Sequence, residues 1–100
     1  MQNIQNAELV LNEAENQFEI HIEDQTAFVE FVRKGKKIYL THTEVPKALE
    51  GRGIASALID KTLHYIKANQ LILIPSCSFV AAYVNKNSEW YSILSEGYQM

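Results

Sequence analysis

The sequence predicts a mixed α/β domain of three layers, with a mostly antiparallel sheet joined to a parallel strand–helix–strand crossover. Three observations carry this. Adjoining stretches alternate with a period of two around a glycine turn, a central stretch repeats at helical spacing, and a short apolar run follows it. A strand–helix–strand unit with a helix this long joins parallel neighbours.

In chain order, "QFEIHIED" puts Phe18, Ile20 and Ile22 on one side and Glu19, His21 and Glu23 on the other, the pattern of a half-buried strand. "TAFVEFVRK" is rich in β-branched and aromatic residues and reads as a second strand. After the turn at Gly35, "KKIYLTHTEV" reads as a third, so the two form an antiparallel hairpin. From Arg52 to Ala68 the period changes: Leu58, Ile59, Thr62, Leu63 and Ile66 recur at helical spacing, against polar Ser56, Asp60, Lys61, His64 and Lys67. Such a helix is about 25 Å long. "LILIP" is wholly apolar, the signature of a strand covered on both faces. "SFVAAYVNK" reads as a shorter helix, and Trp90, Tyr91 and Tyr98 of the closing segment are expected to finish the core.

One hundred residues make a single domain, 1–100, large enough for one core. A net charge of −3 offers no broad attraction for a polyanion, and Arg33-Lys34-Gly35-Lys36-Lys37 reads as a hairpin turn with solvated charges. A nucleic-acid partner is therefore not expected. The single cysteine, Cys77, excludes an internal disulfide and fits a reducing compartment. The N-terminal stretch lacks a signal-peptide pattern, and no run approaches the roughly 18 apolar residues of a membrane helix. The expectation is a soluble cytoplasmic protein, monomeric or weakly dimeric, with no membrane partner. His21, His64 and Cys77 lack zinc-ligand spacing, so no metal is expected. His64 pairs most simply with Asp60 one helical turn earlier.

"EGRGIASAL" raises the functional question. A dinucleotide fingerprint needs a third glycine where Ser56 stands and an acidic residue after the next strand, and "LILIPS" supplies none. A P-loop needs Gly-Lys-Ser/Thr, which is absent. Taken alone, the segment is a tight turn into a helix, with glycine used for its backbone freedom. Its context adds more. A helix N-terminus leaves about four N–H groups without intrahelical partners and suits an anion. This one follows a strand and an irregular connection containing Pro46, where strand pairing must break off. A sheet that splays there can hold a ligand with a phosphate at one end and an extended arm along the strand.

"IYLTHTEV", "EGRGIASAL", "LILIP" and "SFVAAYV", in this order, resemble the acetyl-coenzyme A core of the GNAT superfamily of N-acetyltransferases. "THTEVP", "GRGIASAL" and "PSCSFVAAYV" are similar to a subfamily of very small GNAT-like proteins, over roughly residues 15 to 95. The superfamily's pyrophosphate loop, Gln/Arg-x-x-Gly-x-Gly/Ala, matches Glu50-Gly51-Arg52-Gly53-Ile54-Ala55. The resemblance implies acetyl-CoA as cosubstrate and an amine of a small molecule, peptide or protein as acceptor. It places the coenzyme at Glu44, Val45, Gly51, Arg52, Gly53, Ile54, Ala55 and Ser56. The thioester carbonyl would meet a backbone N–H near Val45, and Tyr83 would protonate the leaving thiolate; read plainly, Tyr83 is a core aromatic.

The chain departs from the pattern twice. Glu50 replaces the opening Gln or Arg, with Arg52 placed to offset its charge. Only Asp24-Gln25 or so separates the first two strands, where the superfamily carries two helices that help wall the acceptor site.

Alternation puts His42 on the face of Ile38 and Leu40, where a lone histidine is usually a core residue. Cys77 sits before a helix, whose N-terminus can lower a thiol pKa, although a free cysteine is commonly a small buried hydrophobe. Both lie near the carboxyl ends of neighbouring strands, where ligands collect in doubly wound sheets. The small subfamily's pattern has a histidine and a cysteine at these positions. It implies that Cys77, activated by His42, accepts the acetyl group. Two alternatives stand beside the acyltransferase: a non-catalytic acyl-CoA-binding module, and an unrelated α/β domain whose glycines only make a turn.

Overall fold

Residues 7–95 are described by the computed structural model. Strands β1 (Val10–Asn12), β2 (Gln17–Ile22), β3 (Gln25–Lys34) and β4 (Lys37–Glu44) pair antiparallel in succession. A 3-10 turn, Lys47–Leu49, leads into helix α1 (Ile54–Ala68). The chain then returns as β5 (Ile72–Pro75), parallel to β4, and closes with α2 (Ser78–Lys86) and a 3-10 segment, Ser88–Ile93. The order in the sheet is β1-β2-β3-β4-β5. This is the expected mixed, mostly antiparallel sheet with its parallel crossover.

The period-2 pattern decides which face is buried. Phe18, Ile20 and Ile22 of β2 pack with Ala27 and Val29 of β3 and with Ile38 and Leu40 of β4, all 1% exposed or less. Leu58, Ile59, Leu63 and Ile66 of α1 and Val80 and Val84 of α2 complete the same core. Both helices therefore cover one sheet face. The opposite face stays open at Val32, Thr41 and His42. The turn between β2 and β3 is only Glu23-Asp24, closing the Ile22–Gln25 pair at φ +52° and +65°, so no chain is left there to cover the second face.

Three local expectations change. Helix α1 starts at Ile54 rather than Arg52, because Gly53 stands at φ +73° outside the helical region. β5 is an edge strand with Leu73 and Pro75 buried but Ile72 and Ile74 half-buried, so one face is covered and not both. In the closing segment Trp90 is buried edge-on against His64 (ring centroids 4.8 Å), whereas Tyr91 is 43% exposed. Tyr98 lies outside the described residues. His64 Nε2 does lie near Asp60, at 3.6 Å.

One irregularity matters for the site. In β3–β4, Glu30 pairs with His42 but Phe31 pairs with Leu40, leaving Thr41 as an extra residue in β4. A bulge of this kind reverses the alternation beyond it. Thr43, opposite the buried Val29, takes the core side, and His42 turns to the open face.

On that open face the Glu19 side chain is only 8% exposed. It accepts hydrogen bonds from Asn12 Nδ2 (2.8 Å) and Gln17 Nε2 (2.6 Å), and lies 2.9 Å from His21 Nε2. Burial pushes its carboxyl up, but the bonds from Gln17, Asn12 and His21 outweigh this and hold it below the ordinary 4.5. A depressed folded-state pKa stabilises the fold above the unfolded value, and that stability is lost as pH falls through the folded one. Wild type is thus expected to lose denaturant resistance below about pH 4.5 more steeply than Glu19→Gln. Parallel losses in the two proteins would refute the assignment.

Candidate functional site

The loop between β4 and α1 is built on an anchored turn. Leu49, 1% exposed, plugs into the core, and its N–H donates to the Pro46 carbonyl at 2.9 Å. Gly51 and Gly53 follow at φ +79° and +73°. A Cβ at either would meet nothing within 4 Å. Their backbone angles demand glycine, and the space beyond them is open. α1 has no side-chain cap, and its first intrahelical bond runs from the Ala57 N–H to the Gly53 carbonyl at 3.1 Å. The first-turn residues Ile54, Ala55 and Ser56 line a cleft of about 250 Å³, together with Gly51, Gly53, Glu50, Leu49, Val45 and Phe79. Oriented N–H groups beside an open cleft suit an anion.

The cleft continues toward a break in the sheet. β4–β5 pairing ends at Leu40–Pro75, and the Cys77 N–H donates to the Leu40 carbonyl at 2.8 Å. Beyond this point β5 turns into α2 while β4 runs on to Glu44, so the two strands part. Val45, just past the end of β4, reaches the cleft wall. The splay and the glycine loop therefore meet in one place, as the sequence indicates. Phe79 was not anticipated there. Its signal is weak, an apolar residue in the first turn of α2, out of phase with the buried Val80 and Val84.

The charged residues of the loop differ from expectation. Glu50 lines the cleft, but Arg52 does not offset it: its guanidinium is held by Glu23 through two contacts, 3.2 and 3.0 Å.

His42 and Cys77 are not brought together. Cys77 Sγ lies 3.4 Å from Thr43 Oγ1 on the helix side of the sheet. His42, one residue earlier, faces the other side, with Nε2 at 3.5 Å from Glu44 Oε1 and its ring edge-on to Phe28. The bulge at Thr41 is the cause. Cys77 is the N-cap residue of α2, without closing a cap hydrogen bond through its sulfur. Burial pushes the thiol pKa up; the Thr43 hydroxyl and the backbone of Val80, Phe79 and Thr43 together outweigh this and bring it below the ordinary 9.0. Tyr83 donates to Asp60 Oδ1 at 3.2 Å, bracing α2 against α1, and is absent from the cleft wall. Burial and the neighbouring Asp60 carboxylate push its hydroxyl to about 12, so it stays protonated. Among the described residues no cluster of His, Cys, Asp or Glu could hold a metal ion, and no helix is long and apolar enough to cross a membrane.

These features can be set beside known proteins. Protein NATD1 of Xenopus tropicalis is 38% identical over 58 residues, covering 58% of this chain and 52% of that protein. Protein NATD1 of Homo sapiens is 41% identical over 54 residues, covering 53% and 48%. The chain spans about half the length of the curated relatives it matches. The solution structure of a GCN5-like protein from Staphylococcus aureus superposes with a TM-score of 0.67 at 24% identity, covering 94% of this chain and 96% of that one, a likeness of fold. The family model for GCN5-related N-acetyl-transferases matches residues 17–94, a span that contains the glycine loop, the parting strands and α2. On that match, the chain belongs to the GCN5-related N-acetyltransferase family.

Proposed function

We propose that the chain is an acetyl-CoA-dependent N-acetyltransferase in which the α1 start binds the coenzyme's pyrophosphate and Cys77 receives the acetyl group. The observation that carries this is the cleft itself, with Gly51, Gly53 and the first-turn residues of α1 at one end and Val45 at the parting strands. Acetyl-CoA supplies an activated thioester when bound. The backbone of residues 51–56 holds its phosphates, and the unpaired edge of β4 orients its arm past Val45. The Cys77 thiolate, favoured by Thr43 and the α2 start, forms the new thioester bond as the coenzyme thiolate departs. An amine entering where β4 and β5 part attacks the Cys77 thioester, the C–S bond breaks to return the Cys77 thiolate, and the amine's proton passes to water. His42, on the opposite, open face, takes no part in this step.

A second reading follows from the same open face. With no helical wall for an acceptor among the described residues, the cleft serves a non-catalytic acyl-CoA-binding module. Turnover with a broad amine panel separates the two, since slow thioester loss without an acylated product belongs to the binder.

Amide-resolved NMR titration with CoA and acetyl-CoA tests the shared premise. Shifts are expected to centre on Arg52 to Ser56 and to saturate with added ligand. An unmoved loop would leave only a tight turn into a helix.

A further inference from the structure

Arg52 stands between two residues of the cleft wall, Gly51 and Gly53, yet its guanidinium is spent on Glu23, 29 residues away in the chain. The carboxylate left at the rim is Glu50. An entering phosphate therefore meets a negative side chain, while the adjacent arginine is held elsewhere. The pair that holds it lies at the surface, with side chains 46% (Glu23) and 32% (Arg52) exposed. Exposed ion pairs exchange partners at little cost. A phosphate offers the same fork-shaped arrangement of acceptor oxygens as the carboxylate. The two ends of the pair differ in freedom. The Glu23 backbone is held in a two-residue turn at φ +52°, between the paired Ile22 and Gln25. Exchange is therefore a swing of the Arg52 side chain, not a movement of the hairpin.

We propose that Glu23 sets the affinity of the cleft for phosphate-bearing ligands by competing with them for Arg52. This rests on the coenzyme reading above. In the free protein Glu23 holds the guanidinium away from the cleft, and the ligand gains Arg52 only by displacing that carboxylate. Glu23 acts through Arg52 and touches no ligand, so it is a positioning residue.

The test is a double-mutant cycle on CoA affinity, measured by titration calorimetry on the full chain. Glu23→Gln is expected to tighten binding about three- to tenfold, because the freed guanidinium then meets the pyrophosphate without a competitor. Glu23→Asn, whose residue suits positive φ, should give the same gain and guards against a disturbed turn. Arg52→Gln alone should weaken binding only slightly, whereas in the Glu23→Gln background it should erase the whole gain. Unchanged or weaker binding by both Glu23 variants, beside a wild type that binds, would overturn the inference while leaving the coenzyme reading intact. So would a gain that persists in the double variant, since that would reflect the hairpin and not the arginine. A wild type that fails to bind CoA overturns the coenzyme reading and this inference with it.

Discussion

Gly53→Val is expected to destabilise the fold by roughly 2 kcal/mol and to abolish coenzyme binding. Gly53 stands at φ +73°, ψ +17° as the residue that caps α1. A β-branched side chain is strongly disfavoured there, and the cost comes from the residue's own backbone. The surroundings are not at fault, since a Cβ meets nothing within 4 Å. The valine variant can relieve the strain only by moving into ordinary backbone angles, which re-forms the helix start. The N–H groups of Ile54, Ala55 and Ser56 would then no longer converge on the cleft. Gly53→Ala should sit between, at about 1 kcal/mol, with weakened binding. Denaturant midpoints and CoA titration on the two variants check this. A valine variant that is less stable yet binds CoA like wild type would show that the first turn of α1 is not what holds the ligand.

The glycine turn was legible in the sequence because its demand is local: two glycines just before a helical period mark backbone at positive φ, and both adopt it. The same holds for the elements around it. α2 occupies the stretch "SFVAAYVNK", and β2 buries the alternating Phe18, Ile20 and Ile22. What escaped reading depends on distant partners. Nothing in "YLTHTEV" marks Thr41 as the extra residue, because threonine and histidine suit either face of a strand, and one bulge exchanges the roles of His42 and Thr43. Arg52 reads as a phosphate ligand until the β2–β3 turn brings Glu23 to it. β1, three residues long, is too short for alternation to register.

The exchange of His42 for Thr43 changes what should activate Cys77. Thr43→Val is expected to slow alkylation of Cys77 by iodoacetamide at neutral pH about two- to fivefold, while His42→Ala leaves it unchanged. The sign follows from the balance around the sulfur. Burial opposes the thiolate, and the Thr43 hydroxyl is the foremost of the groups that outweigh it, ahead of the backbone of Val80 and Phe79. Removing the hydroxyl shifts that balance toward the thiol, so the pKa rises and the reactive fraction at neutral pH falls. Well above the thiol pKa the rates of Thr43→Val and wild type should converge, which separates a pKa effect from blocked access. The acetyl chemistry should divide in the same way. Cys77→Ala should abolish the acetyl adduct seen by intact mass after incubation with acetyl-CoA. His42→Ala should leave both the adduct and its discharge to an amine unchanged, since His42 faces the other side of the sheet. If instead His42→Ala slows alkylation and Thr43→Val does not, the imidazole must reach the sulfur in solution, and the bulge at Thr41 would have to be mobile enough to let it through the sheet.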